Sequence, residues 1–316
     1  MASALRTTAV GVRARAIAQD GVAIGYEAQA IAENAYAAGA CASASGVNSI
    51  AWGVLANASA VNSMAIGLSA NASAKNSMAI GTLALATGFE SVAIGASSYA
   101  SGVNAFAVGP DAHAVGDNAF AIGVGAKAIG KDSFCMGDRC LDGIDSIDSL
   151  TAGYDAKAIH SNSAVTFGAF AETLDAESGI AIGTHAKTAF ANDSTSIGRN
   201  ALTRGNSAIA FGTNAIARTG STNSIAFGHN ATADGVNSTA QGTNASVDGT
   251  NAQASGSNAR AIGFNAVAQG TDAVAEGRNV IAIGTGAKAF GYNTNVVSRP
   301  QARAQGPIAV TLIPTA

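Results

Sequence analysis

Glycine occupies positions 11, 25, 39, 53, 67, 81, 95, 109, 123 and 137, an unbroken spacing of fourteen. A period held over that many copies means a repeat architecture, in which each unit buries its apolar face only by stacking on the next. The spacing lengthens to fifteen or sixteen at Gly153, Gly168, Gly183 and Gly198, and from Gly228 to Gly291 a glycine stands at every seventh residue. The fourteen is therefore two sevens.

One half-repeat has the form x-N-S-φ-A-φ-G, with φ a large apolar residue, as in VNSIAWG, VNSMAIG and KNSMAIG. The other has the form x-x-A-x-A-x-G, as in TLALATG, PDAHAVG, VGAKAIG and HNATADG. Both alternate with period two, the signature of strands and not of helices. The residues three and one before the first glycine are large: Ile50/Trp52, Met64/Ile66, Met78/Ile80, Val92/Ile94, Phe106/Val108, Phe120/Ile122, Ile225/Phe227 and Ile281/Ile283. This ladder is assigned to the structural core, Trp52 included, in preference to a sugar-stacking role for that ring. In the second half the parity is expected to reverse, with alanines four and two before the glycine and variable residues such as Leu85, Tyr99, His113, Lys127 and Thr232 between them. Gly53, Gly67, Gly81, Gly95, Gly109 and Gly123 are assigned to turns that a β-carbon would penalise. The neighbouring asparagines suit the same turns, because they tolerate left-handed dihedrals.

The expected fold is all-β: a parallel β-solenoid of ~14-residue coils, two short strands per coil, stacked in register. About twenty coils at ~4.8 Å each would make a stack on the order of 95 Å long. With the large ladder inside the coil, alanines would line a continuous outer face; with it outside, the large ladder itself would be exposed. Either arrangement leaves an apolar stripe that calls for a partner surface, and identical rods packed side by side in closed symmetry supply one.

Charged residues make up 12% of the chain and the formal net charge is −3. No basic stripe is present for nucleic acid or anionic lipid, so neither is expected as a partner. No run approaches the ~18 to 20 apolar residues of a transmembrane helix. Cys41, Cys135 and Cys140 are an odd number without CxxC spacing, so a disulfide framework or zinc site is not expected, and a 135–140 pair is disfavoured. His113, His160, His185 and His229 are scattered along the chain. No catalytic constellation, cofactor motif or metal motif is found, and the narrow coil has no room for the groove of a β-helical polysaccharide lyase. The chain is expected to be non-enzymatic, with no cofactor.

The paired half-repeats ESVAIGASSYASG (90–102), NAFAIGVGAKAIG (118–130) and NSIAFGHNATADG (223–235) resemble the head repeats of trimeric autotransporter adhesins, the YadA-like head. The resemblance runs from about residue 5 to 291. It implies a left-handed parallel β-roll, an intertwined homotrimer and a surface-adhesion role. Residues 1–291 are expected to form the roll, with looser coils at 138–198, and 292–316 a non-repeat tail for capping or attachment, its IAVTLI stretch at 308–313 able to add a strand. No signal peptide, stalk or membrane anchor is visible in the sequence. The expected setting is a virion surface, as a phage head or tail appendage, with a bacterial cell surface as the alternative. Expected partners are two further copies of the chain, structural proteins at one end, and a host receptor or glycan. The break at DRCLDGIDSIDSLTAG (138–153) supplies the candidate recognition loop, Asp138, Arg139, Asp142, Asp145 and Asp148, whose spacing fits no calcium motif. Two further readings compete with adhesion: a purely structural decoration, and an ice-binding solenoid, which would need regularly spaced hydroxyls that the irregular outward positions lack.

Overall fold

The computed structural model describes residues 1–218 and 220–298, and every regular element in it is a strand of two to five residues. Contacts divide the chain into two compact units, Met1–Ile159 and His160–Ala316. Each is a parallel β-solenoid. In the first unit, one strand of every coil joins a first sheet that runs from Thr8–Val10 to Leu150–Ala152. The other strand joins a second sheet, from Arg15–Ala16 to Lys157–Ile159. Pairing is in register with the equivalent strand one coil later: Met64 lies opposite Met78, Ala65 opposite Ala79 and Ile66 opposite Ile80.

The second unit repeats this plan, its first sheet running from Val165–Phe167 to Asn295–Val297 and its second from Glu172–Leu174 to Lys288–Tyr292. Asn295–Val297 pairs with Ile281–Ile283, so the solenoid adds a rung past Gly291, within the segment expected to be tail. The 308–313 stretch lies outside the described residues.

Tight turns join the two strands. At the first corner Ala70 N–H donates to the Gly67 carbonyl at 3.4 Å and Ser69 is left-handed, with φ 53°, the pattern of a type II turn. Gly67 itself has φ 135°, and a β-carbon there would collide with the carbonyl oxygen of Gly81 in the next coil. At the opposite corner Ser77 N–H donates to Ala74 O at 3.1 Å and Asn76 takes the left-handed place, with φ 60°. Bonds between coils continue through both corners: Leu83 N–H to Leu68 O at 2.8 Å, and Asn76 N–H to Val61 O at 3.0 Å. The corner asparagines also stack, each amide donating to the next, Asn34 to Asn48 at 2.9 Å, Asn48 to Asn62 at 3.1 Å and Asn62 to Asn76 at 3.0 Å.

The large ladder does not fill the interior. Ser77, Ala79, Ala84 and Ala86 point into one coil, and Ser63, Ala65, Ala70 and Ala72 into the coil before it, all at 0 or 1% exposure. The residues assigned to the core, Ile50, Trp52, Met64, Ile66, Met78, Ile80, Val92, Ile94, Phe120, Ile122, Ile225, Phe227, Ile281 and Ile283, are half-buried or exposed. They sit on the outer side of the first sheet. A coil of two short strands closed by tight turns leaves a gap filled mostly by methyl-sized or hydroxymethyl-sized side chains, with Val247 and Val280 the largest apolar ones it holds. The inward parity is also the same in both half-repeats, four and two residues before the glycine, and is not reversed.

The interior changes character in the second unit. Its coils between 165 and 203 carry one extra residue at the corner that follows the second-sheet strand, and they bury Thr166, Thr173, Thr188, Ser196 and Thr203 completely. These hydroxyls bond across the coil: Thr166 with Thr173 at 2.6 Å, Thr188 with Ser196 at 3.0 Å and Ser196 with Thr203 at 2.5 Å. Burial of these oxygens is offset by partners, as buried polar groups require. Ala176 and Ala191, from the extra length, are fully buried beside them.

A close-packed alanine interior leaves little room for growth. Overpacking a core commonly costs ~1–3 kcal/mol, and Ala79 has in-register neighbours Ala65 and Ala93 that cannot withdraw. Ala79→Leu is expected to destabilise the fold by an amount at the upper end of that range, seen as a lowered midpoint of thermal unfolding followed by circular dichroism. Leu85→Ala, on the outer side of the second sheet, is expected to move it far less.

Candidate functional site

The two sheets present different outer faces. Among the described residues, no strand of the first sheet contains an Asp, Glu, Lys, Arg or His, from Thr8–Val10 to Leu150–Ala152 in the first unit and from Val165–Phe167 to Asn295–Val297 in the second. At a chain average of 12% charged residues, a random draw of that many positions would include several. The second sheet carries Arg15, His113, Lys127, Lys157, Glu172, Lys187, Arg260 and Lys288 at its outward positions. Charge is therefore kept off one face and allowed on the other.

The uncharged face is apolar and open. Trp52 is 58% exposed, Phe167 53% and Phe227 47%. Rings pile along the stacking direction: Phe106 on Phe120 with centroids 5.7 Å apart, Phe120 on Phe134 at 5.9 Å, and Phe211 on Phe227 at 5.0 Å. Aromatic and aliphatic side chains at this density on a solvent-facing sheet mark an interaction surface. The sequence carries the signal for it, because every first half-repeat strand lacks charge, but a ladder placed in the core hides its meaning.

The five candidate recognition residues do not form one loop. Asp138 and Arg139 belong to the corner after the first-sheet strand, where Asp138 accepts from Val124 N–H at 3.2 Å. Arg139 lies over the Tyr154 ring, 4.6 Å from its centroid, and donates to the tyrosine oxygen. Asp145 and Asp148 belong to the opposite corner, where two extra residues push Ile144 outward to 72% exposure. Asp142 is inside the coil. The next extended corners, in the second unit, project His160, Asp175 and Phe190, all left-handed, with the His160 imidazole 3.1 Å from the Asp175 carboxylate and Phe190 69% exposed. His113 approaches Asp111 at 3.4 Å, and His185 stacks on Phe170 at 4.9 Å. No group of three or more His, Cys, Asp or Glu that could hold a metal ion occurs among the described residues.

The disfavoured cysteine pairing is formed. Cys135 and Cys140 are disulfide-bonded inside the coil, both fully buried, while Cys41 is free and exposed. The reason is local: the last inward position of one strand and the first inward position of the next face each other across the gap, as Ala79 and Ala84 do. Asp142 occupies the following inward place, with Ser149 donating to its Oδ2 at 2.5 Å and Thr151 at 3.1 Å. Burial pushes its carboxyl up to about 7, and the two hydroxyls offset only part of that cost. Its Oδ1 is buried without a partner.

The pH dependence follows from the sign of this shift. Between its ordinary value near 3.8 and about 7, folded Asp142 keeps a proton that the unfolded chain has released. Its contribution to stability is therefore full below this window, is lost as pH rises through it, and is constant above it. Asp142→Asn keeps the shape and removes the charge. The variant is expected to melt at the same temperature as the parent near pH 4 and above it at pH 8; an equal difference at both pH values would contradict a buried charge.

The repeats also match a known family. The model of the YadA head domain repeat matches residues 2–28, 58–84, 86–112, 114–137, 191–215, 221–245 and 261–287. Among solved structures, the collagen-binding domain of the Yersinia adhesin YadA is similar, with 26% identity over 46% of this chain and 69% of that one, and a TM-score of 0.34. No curated protein matches. The matched segments span more than half of the chain and lie in both solenoid units, so the chain belongs to the YadA head-repeat family.

Proposed function

We propose that the chain is the non-enzymatic adhesive head of a homotrimeric surface fibre. The observation that carries this reading is the uncharged apolar face of the first sheet, present in both units. Three copies packed side by side through this face would bury it around a common axis and turn the charged, variable second sheets and corners toward solvent. Identical copies repel one another where like charges meet, and a face without charge avoids that penalty. The exposed surface would then offer the same corner and sheet positions many times over. Weak contacts to a host-surface molecule add up under such multivalent geometry.

Display on a bacterial cell surface is the setting that the family supports, with a virion surface as the alternative. Immunogold labelling of cells and of released particles separates the two. The 292–316 segment, which begins with the rung at Asn295–Val297, is proposed to cap the solenoid or attach it to its carrier. Its deletion is expected to leave trimers intact and to abolish attachment.

Sedimentation equilibrium of the purified chain is expected to give three times the chain mass. Phe211→Asp combined with Phe227→Asp is expected to shift it toward monomer at micromolar concentration. A folded monomer of the unaltered chain overturns the homotrimer. For adhesion, the trimer is tested against a glycan array and immobilised collagen, with catalytically inert beads carrying many copies as the multivalent form; absence of binding in every format would leave a structural role in its place.

A further inference from the structure

The apolar character of this face in the second unit is broken by single polar residues at Thr195 and Asn295 and by one run of three successive rungs. Its outward pairs are Val165/Phe167, Ile180/Ile182, Thr195/Ile197, Ile209/Phe211 and Ile225/Phe227, then Thr239/Gln241, Gln253/Ser255 and Val267/Gln269, and then Ile281/Ile283 and Asn295/Val297. The fold does not demand this change. Coil length stays at fourteen, and the inward residues remain Ala240, Ala254 and Ala268, at 0 or 1% exposure. The polar side chains surround a shallow hollow of about 220 Å³ with Ala254 and Ala268 in its lining. Gln241, Gln253 and Gln269 are exposed. None makes a side-chain hydrogen bond within the chain, among the described residues.

A face of evenly spaced apolar rungs has a defect as an interface. Where successive rungs are alike, as at Ile209/Phe211 and Ile225/Phe227, sliding one copy along another by one rung, ~4.8 Å, replaces one apolar contact by an equivalent one. Apolar packing alone therefore does not choose the axial register.

We propose that Thr239, Gln241, Gln253, Ser255 and Gln269 lock the axial register between copies of this chain, a role that rests on the homotrimer reading. The occupant of the hollow is the same patch of a second copy. A carboxamide is both donor and acceptor, so identical glutamines at equal height around a three-fold axis satisfy one another, which identical ammonium or carboxylate groups do not. A slip of one rung sets Gln241 of one copy against the Phe227 level of the other, and at the far end of the patch sets Gln269 of that other copy against the Ile281–Ile283 level of the first. Each amide buried there without a partner carries the desolvation penalty of an unmade hydrogen bond. A polar residue in an apolar seam fixes the register of coiled coils by the same physics.

The test uses the full chain with Cys41→Ser, expressed as two populations, one with Ile209→Cys and one with Ile225→Cys. These positions are on adjacent rungs of the first sheet. After co-assembly and mild oxidation, peptide mass spectrometry distinguishes same-residue cross-links (I209C to I209C, I225C to I225C) from the slipped pair (I209C to I225C). With the glutamines present, same-residue links are expected almost alone. With Gln241→Leu, Gln253→Leu and Gln269→Leu together, the slipped share is expected to rise at least about tenfold. Gln253→Leu alone, with a smaller rise, serves if the triple variant does not fold by circular dichroism.

An unchanged slipped share in a folded trimeric variant overturns the lock while leaving the homotrimer standing. Slipped links at a comparable level in the unsubstituted background also overturn it. A monomeric parent with no cross-links of either kind removes the homotrimer, and the lock with it.

Discussion

The width of the coil interior governs the rest of this structure. Two short strands, closed by corners in which one residue is left-handed, leave space for about four side chains, nearly all of them small. Alanine and serine fill most of it, with Val247, Val280 and Val296 as larger exceptions. Most larger apolar residues then face outward, where they cannot contribute to the chain's own core. Stability shifts accordingly from large-residue burial to the in-register backbone bonds that run through strands and corners alike, supplemented by the stacked asparagine amides.

Most of the architecture is legible in the sequence because the repeat is written in phase. In NSMAIG, Asn76 makes the corner, Ser77 and Ala79 face inward, Met78 and Ile80 face outward, and Gly81 begins the next corner. The direction of the alternation is harder to read. A hydrophobicity argument places Met78 and Ile80 inside and leaves Ala79 outside, and only the geometry of a two-strand coil reverses that choice. The serine four residues before the glycine was the available clue, since it shares its parity with the alanine and is as small.

The disturbed coils show a second limit. Five residues at 138–148 look like one acidic loop in one dimension, yet the coil sends two to one corner, two to the opposite corner, and Asp142 to the interior. The Cys135–Cys140 bond is hidden for the same reason, because a separation of five means nothing until the inward positions of successive strands are known to face each other. All of the extra residues between 143 and 194 fall at the corner that follows the second-sheet strand. The first-sheet strands keep their outward pattern beside them. Within each unit the variation is thereby confined to one kind of corner, and the first-sheet strands beside it acquire no charge.

The equal parity of the two half-repeats has a genetic corollary. A deletion or duplication of fourteen residues removes or adds one storey and leaves each sheet facing as before. A change of seven residues preserves the alanine interior just as well, since both halves bury the same positions, but it exchanges the sheets from that point onward. The charged surface would then continue where the uncharged one had been. On the homotrimer reading such a lesion would surface when copies meet, and the whole coil is then the unit in which this chain can lengthen or shorten.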